Sequence, residues 1–124
     1  MKRPFRLLVL DDDSDIIEAI YEILGKDPTL AIYTAQDVES ATKMLHEVDG
    51  VLADCIMPEI EHFNAAIKNS GKALVRMSGK VGRATNLELQ KPFTSQQLIE
   101  AVELLRFFHS PGRPKLPGQR KNAA

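Results

Sequence analysis

The most constraining feature of this chain is an alternation of short apolar runs with stretches of helical periodicity. Leu7-Leu8-Val9-Leu10 is a continuous apolar run of the kind that suits a strand buried on both faces. The period then changes. Ile16, Ile17, Ile20, Ile23 and Leu24 fall on one helical face, with Ser14-Asp15 as a start signal, Glu18 three residues after Asp15, and Gly25 and Pro28 as the stop. Leu30 to Ala35 reads as a second strand, and Val38, Ala41, Leu45 and Val48 mark a second amphipathic helix. Val51-Leu52-Ala53 is a short third strand ending at Asp54. Ile60, Phe63 and Ile67 predict a third helix, stopped by Asn69-Ser70-Gly71. Ala73 to Met77 is a fourth strand, and Leu87 to Gln90 alternates apolar and polar like an edge strand with one wet face. Thr94 with Gln97 forms a capping box ahead of a last helix that turns Leu98, Ile99, Val102 and Leu105 inward. Five strands alternating with helices predict a parallel sheet covered on both faces.

The length of 124 residues allows one core. Apolar (44%) and charged (27%) fractions are those of a soluble globular domain. The net charge of −1 hides an asymmetry. Residues 109–124 carry Arg113, Lys115, Arg120 and Lys121 and no acid, so 12 of the 16 basic residues and all 17 acids fall in 1–108, a net charge of −5. An acidic body argues against nucleic-acid binding by the folded part. The segment after residue 109 has three prolines, two glycines and no periodicity, and reads as a disordered basic tail. The single cysteine, Cys55, permits no internal disulfide and fits a reducing cytoplasm. The apolar run after MKRPFR stops at four residues and meets three aspartates, so it is no signal peptide, and nothing approaches the ~20 apolar residues of a membrane span.

In an open parallel α/β sheet, ligands bind outside the carboxyl ends of the strands. Here those ends carry Asp11, Asp12 and Asp13 after the first strand, Asp54 after the third, Ser78 after the fourth and Lys91-Pro92 after the fifth. Clustered carboxylates repel one another and call for a cation, and hard oxygen donors suit Mg²⁺, which binds through one or two carboxylates plus a phosphate. A carboxylate beside such an ion can attack phosphorus while lysine and hydroxyl donors hold the other phosphoryl oxygens.

At this point LLVLDDD, VLADCIMP, the hydroxyl residue of RMSG, and QKPF resemble the four signatures of bacterial response-regulator receiver domains, in order and spanning residues 7–93. The resemblance implies a single doubly wound α/β domain over residues 1–108, with a five-stranded parallel sheet of flavodoxin-like order 2-1-3-4-5. It implies Asp54 as phosphoacceptor, Asp12 as a direct Mg²⁺ ligand and Asp11 acting partly through water, with the backbone carbonyl of Ile56 completing the protein's share of the metal shell. Ser78 would hydrogen-bond a phosphoryl oxygen, Lys91 would pair with the phosphoryl group, and the Lys91–Pro92 bond would be cis. A histidine kinase or histidine phosphotransfer protein would be the phosphate donor. The downstream protein is not named and no oligomeric state is fixed. With only a short tail after residue 108, the domain is expected to act alone, by binding another protein or passing phosphate onward.

Two features depart from that family. Only thirteen positions separate Ser78 from Lys91, and a helix of ordinary length, about 11–12 residues, does not fit with its connections. The helix between strands four and five is therefore expected to be lost or cut to about a turn, with 79–86 a loop. Family members also usually carry an aromatic residue three positions before the lysine, whose inward movement follows that of the hydroxyl residue. Here that position is Glu88. Two positions tend to control hydrolysis of the acyl phosphate in such receivers, and here they are Ile56 and Lys80. Isoleucine cannot activate water and protonated lysine offers no acceptor, which points to a slow loss of phosphate.

Other residues carry plainer readings. Asp11, Asp13, Asp15 and Glu22 imitate part of a calcium loop, but Ile16 stands where glycine is needed. Asp15 reads as a helix-start charge, and Asp13 as that or a support of the metal site. Cys55 reads as a buried small residue, Met57 as packing, and His46, His62 and His109 as surface residues. Arg76, in a predicted inner strand, is unexplained by the pattern. Two other functions compete. A haloacid-dehalogenase-like phosphatase could use Asp11 and Asp13, but its later acidic pair is missing, since Glu100 and Glu103 fall on a helix. A receiver-like module that binds without phosphate is opposed by the full set of Asp11, Asp12, Asp54 and Lys91.

Overall fold

A computed structural model describes residues 3–78 and 88–109. The elements run β1 (Phe5–Leu10), α1 (Ser14–Leu24), β2 (Leu30–Ala35), α2 (Val38–Met44) with a 3₁₀ turn Leu45–Glu47, β3 (Gly50–Asp54), α3 (Ile60–Ser70), β4 (Ala73–Ser78), β5 (Glu88–Gln90) and α4 (Ser95–His109). All strand pairs are parallel, in the order β2-β1-β3-β4-β5. This is the predicted doubly wound architecture. Among the described residues no helix lies between β4 and β5, and only 79–87 join them. The loop expected at 79–86 lies outside the described residues, as does the tail at 110–124.

The continuous apolar strands are explained by two cores, one on each face of the sheet. Phe5, Leu7 and Val9 of β1 point to one face with Leu52, Val75, Met77 and Leu89, where α1 adds Ile20 and Leu24 and α4 adds Leu98, Val102 and Leu105. Leu8 and Leu10 point the other way with Val51 and Ala53, under Val38 and Ala41 of α2 and Phe63 and Ile67 of α3. Phe63 is fully buried, and truncating such a residue to alanine costs about 3–5 kcal/mol.

The helix ends follow the local chemistry. The cap of α1 is Asp13, whose side chain accepts from the Asp15 backbone N–H, and not the predicted Ser14-Asp15 pair. In the run Asp11 to Asp15, five oxygen-bearing side chains in a row, the sequence signal does not single out one. Thr94 and Gln97 bond each other's backbone N–H groups as expected of a capping box (3.1 and 2.9 Å). Gly71 ends α3 in the left-handed region (φ 72), where a side chain is strained. β5 carries its single buried residue, Leu89, between exposed Glu88 and Gln90.

The floor of the sheet, away from the strands' carboxyl ends, is tied by one carboxylate. Asp49 is 3% exposed and accepts from the backbone N–H of Arg6 (2.9 Å) and from the Arg6 and Arg3 guanidinium groups (both 3.2 Å). His109, which ends α4, lies 3.6 Å from the same carboxylate and packs edge-on against Phe5. Its role is thus more than that of a surface residue, and the helix runs one residue into the segment read as tail. Burial pushes the Asp49 carboxyl up, but the bonds from Arg6 and the charges of His109 and Arg6 outweigh it and hold it below the ordinary range.

Candidate functional site

The chain leaves β1 first for β2 and then returns to β3 on β1's other side, so strand order reverses at β1. Asp11 and Asp12 follow β1 and Asp54 ends β3, which places all three at the switch point where this architecture binds ligands. Asp11, Asp12 and Asp54 each offer a carboxylate oxygen, and these oxygens lie within 4.8 Å of one another. Asp11 is fully buried, Asp54 half-buried and Asp12 exposed.

Each member is held from its own element. The Asp13 backbone N–H donates to Asp11 Oδ1 (2.9 Å), and the Ile56 backbone N–H donates to Asp54 Oδ1 (3.1 Å). Lys91, just beyond β5, brings Nζ to 2.6 Å from Asp11 Oδ2 and 3.8 Å from Asp54 Oδ2. Its backbone N–H donates to the Ser78 carbonyl (2.6 Å), and the Lys91–Pro92 peptide is cis, as the resemblance implies. Ser78 is buried at the end of β4. The Ile56 side chain is 65% exposed, on the loop that leaves Asp54. That loop also contains Glu59 in the left-handed region (φ 64) and buried Met57, which packs as predicted.

The Asp54 carboxyl is pushed above its ordinary value. Burial is the main cause, and the Asp11 and Asp12 charges add to it against the opposing Ile56 N–H and Lys91. One ammonium therefore does not balance three carboxylates. The donor set is hard oxygen, crowded and short of positive charge, which fits a small divalent cation.

Residues with plainer readings separate from this cluster. Asp13 spends its side chain on capping α1, and Asp15 sits in the first turn of α1 as a helix-start charge. Cys55 is half-buried instead of buried. Glu100 and Glu103 are exposed on α4, and neither belongs to the cluster. Lys80 lies outside the described residues. Sequence reading passed over Asp49; the signal present was an acid placed just before a buried strand, with Arg3 and Arg6 flanking the start of another.

No protein-family model matches this chain, and no curated protein matches it. Solved structures do. A signal receiver domain of an HD domain-containing protein from Pseudomonas fluorescens Pf-5 superposes with a TM-score of 0.75 at 22% identity, covering 87% of this chain and 98% of that one. The beryllofluoride-activated NtrC4 receiver domain, solved as a dimer, gives 0.73 at 21% identity, covering 85% and 98%. The chemotaxis response regulator CheY4 of Vibrio cholerae gives 0.72 at 16% identity, covering 84% and 99%. The fold is that of response-regulator receiver domains. No helix among the described residues is long and apolar enough to cross a membrane.

Proposed function

We propose that this chain is a phosphorylation switch that accepts a phosphoryl group on Asp54 from the phosphohistidine of a kinase or phosphotransfer protein. The observation that carries the reading is the convergence of Asp11, Asp12 and Asp54 at the switch point, with Lys91 reaching both Asp11 and Asp54. An Asp54 oxygen attacks the phosphorus. The oxygen–phosphorus bond forms as the phosphorus–nitrogen bond of the donor breaks, and the electron pair leaves on the donor's imidazole. Burial and the neighbouring acids make the Asp54 oxygen more basic than a solvated aspartate, which favours attack. Lys91 pairs with the phosphoryl oxygens and the Ser78 hydroxyl donates to one of them.

Asp11, Asp12, Asp54 and the Ile56 carbonyl are the groups that would hold Mg²⁺, which neutralises charge on the cluster and the incoming phosphoryl group. Water later attacks the acyl phosphate, releasing inorganic phosphate and restoring the carboxylate. The product is a changed protein surface and not a released metabolite, so the output is protein binding. The test is incubation of the full chain with acetyl phosphate, with and without Mg²⁺, followed by intact mass measurement. One added phosphoryl group, dependent on Mg²⁺, is the expected result; no addition refutes the reading.

A further inference from the structure

Between the outer edge of the sheet and α4 lies an open groove of about 360 Å³. Val75 and Leu89 line it from the sheet, and Gln97, Glu100, Ala101 and Leu104 line it from α4. Among the described residues two acids, Glu88 and Glu100, and no base border it. The Glu100 carboxylate accepts a hydrogen bond from Gln96 (3.2 Å) and has no ion pair among the described residues. Leu104 and Phe107 are large apolar side chains left 44% and 43% exposed. Glu100, Leu104 and Phe107 follow one another at spacings of four and three, so they form one row down the helix. The row leads from the groove to His109, where α4 ends.

Past His109 the chain reads Ser110-Pro111-Gly112-Arg113-Pro114-Lys115-Leu116-Pro117. Pro111-Gly112 is a turn-forming pair. Pro114 and Leu116 are apolar, and Arg113 and Lys115 carry the charge that the groove lacks. The reach also matches. Glu100 stands nine residues before His109, about 13.5 Å along the helix axis. The four steps from Gly112 to Leu116 span about 13 Å when extended. A reversal at Pro111-Gly112 therefore brings Leu116 level with Glu100 and Ala101, and Pro114 level with Leu104.

We propose that this groove is the docking site of the chain's own segment 113–117, held within one molecule. Leu116 enters beside Val75, Leu89 and Ala101, Pro114 covers Leu104, and Lys115 pairs with Glu100. The attraction is reinforced by the charge asymmetry of the chain, −5 over residues 1–108 against the four bases and no acid of 109–124. A partner that uses this face must first displace the segment, so the contact is autoinhibitory. It stands whether or not Asp54 is phosphorylated.

The test is limited trypsin digestion of the full-length native protein, read by mass spectrometry. Trypsin does not cut between Arg113 and Pro114, so the Lys115–Leu116 bond reports the docked stretch, while Arg120 and Lys121 report the chain beyond it. A synthetic peptide of residues 110–124 gives the undocked rate of each cut. Relative to the peptide, the wild-type cut after Lys115 should be about tenfold slower, as when about nine molecules in ten are docked, with the later cuts little changed. Glu100→Lys and Leu104→Glu, both at exposed positions, should each restore most of the peptide rate, and so should high salt, which screens the pair. Equal rates after Lys115 in wild type and peptide overturn the proposal and leave the groove to an outside partner. Slowing that survives both substitutions overturns it as well, because the groove is then not the site. Slowing that appears only when the protein is concentrated assigns the groove to a second copy and overturns docking within one molecule. Should one variant fail to fold, the other and the comparison of wild type with peptide still decide.

Discussion

Asp54→Asn should make the metal-free protein more stable at neutral pH, although it destroys the proposed phosphorylation site. The carboxylate oxygens of Asp11, Asp12 and Asp54 lie within 4.8 Å of one another. At an effective dielectric of about 20, unit charges at that separation repel by roughly 3.5 kcal/mol, and Lys91 at 3.8 Å returns about 4.4. Removing the Asp54 charge abolishes two repulsions and one attraction, a net gain of roughly 2–3 kcal/mol before solvent screening. Asp12 is exposed, so screening brings the gain to about 1–2 kcal/mol, or about 5–10 °C in Tm for a domain of this size. The pH dependence has a definite sign. Folding raises the Asp54 pKa, so relative to the unfolded chain the wild type gains below the ordinary carboxylate range and loses as pH rises through the raised value. The gap between Asp54→Asn and wild type should be full at pH 7 and close as pH falls. Mg²⁺ should also close it by binding wild type more tightly. Thermal melts of both proteins at several pH values, with and without Mg²⁺, make the test. A variant that melts at or below wild type without Mg²⁺, or a gap indifferent to both Mg²⁺ and pH, refutes the charge-crowding argument.

Asp49→Asn should cost about 2–3 kcal/mol in urea unfolding at pH 7, because it strips the charge from a buried acceptor of Arg3 and Arg6. Since the Asp49 carboxyl is held below its ordinary range, its contribution is present above the unfolded value of about 3.9 and is lost as pH falls through the lower folded one. The difference between variant and wild type should therefore shrink in acid. Glu59→Gly should stabilise by about 0.5 kcal/mol, as relief of a left-handed residue (φ 64) exceeds the added freedom of the unfolded chain; a measured loss would show that the Glu59 side chain makes an unrecognised contribution. Ile56→Asn should speed loss of phosphate severalfold by giving water a polar partner, as read from decay of the phosphorylated mass; an unchanged or slower decay removes Ile56 as a determinant of lifetime.

The fold was legible because both cores are written in period. Leu7 to Leu10 is apolar throughout since both faces of β1 are covered, and α1 and α3 show their buried stripes directly. The site was legible because β1, β3, β4 and β5 each place a polar residue at or just after their carboxyl end. Contacts between distant segments were not. The Asp49 network joins Arg3, Arg6 and His109 across the fold; the acid and the two arginines are visible one by one, but their sequence separation hides that they meet. Arg76 broke the expectation for an inner strand: it is exposed although its strand is paired on both sides. Asp13 won the cap of α1 from Ser14 by backbone geometry that residue type alone does not specify.

The most direct measurement of the central claim is chemical trapping of the acyl phosphate. After reaction with acetyl phosphate and Mg²⁺, borohydride reduces an aspartyl phosphate to homoserine, which tandem mass spectrometry locates in the chain. The account predicts homoserine at position 54 in the wild type, and none anywhere in Asp54→Asn. Homoserine at position 11 or 12, or phosphate found on Ser78 with Asp54 unmodified, would contradict it.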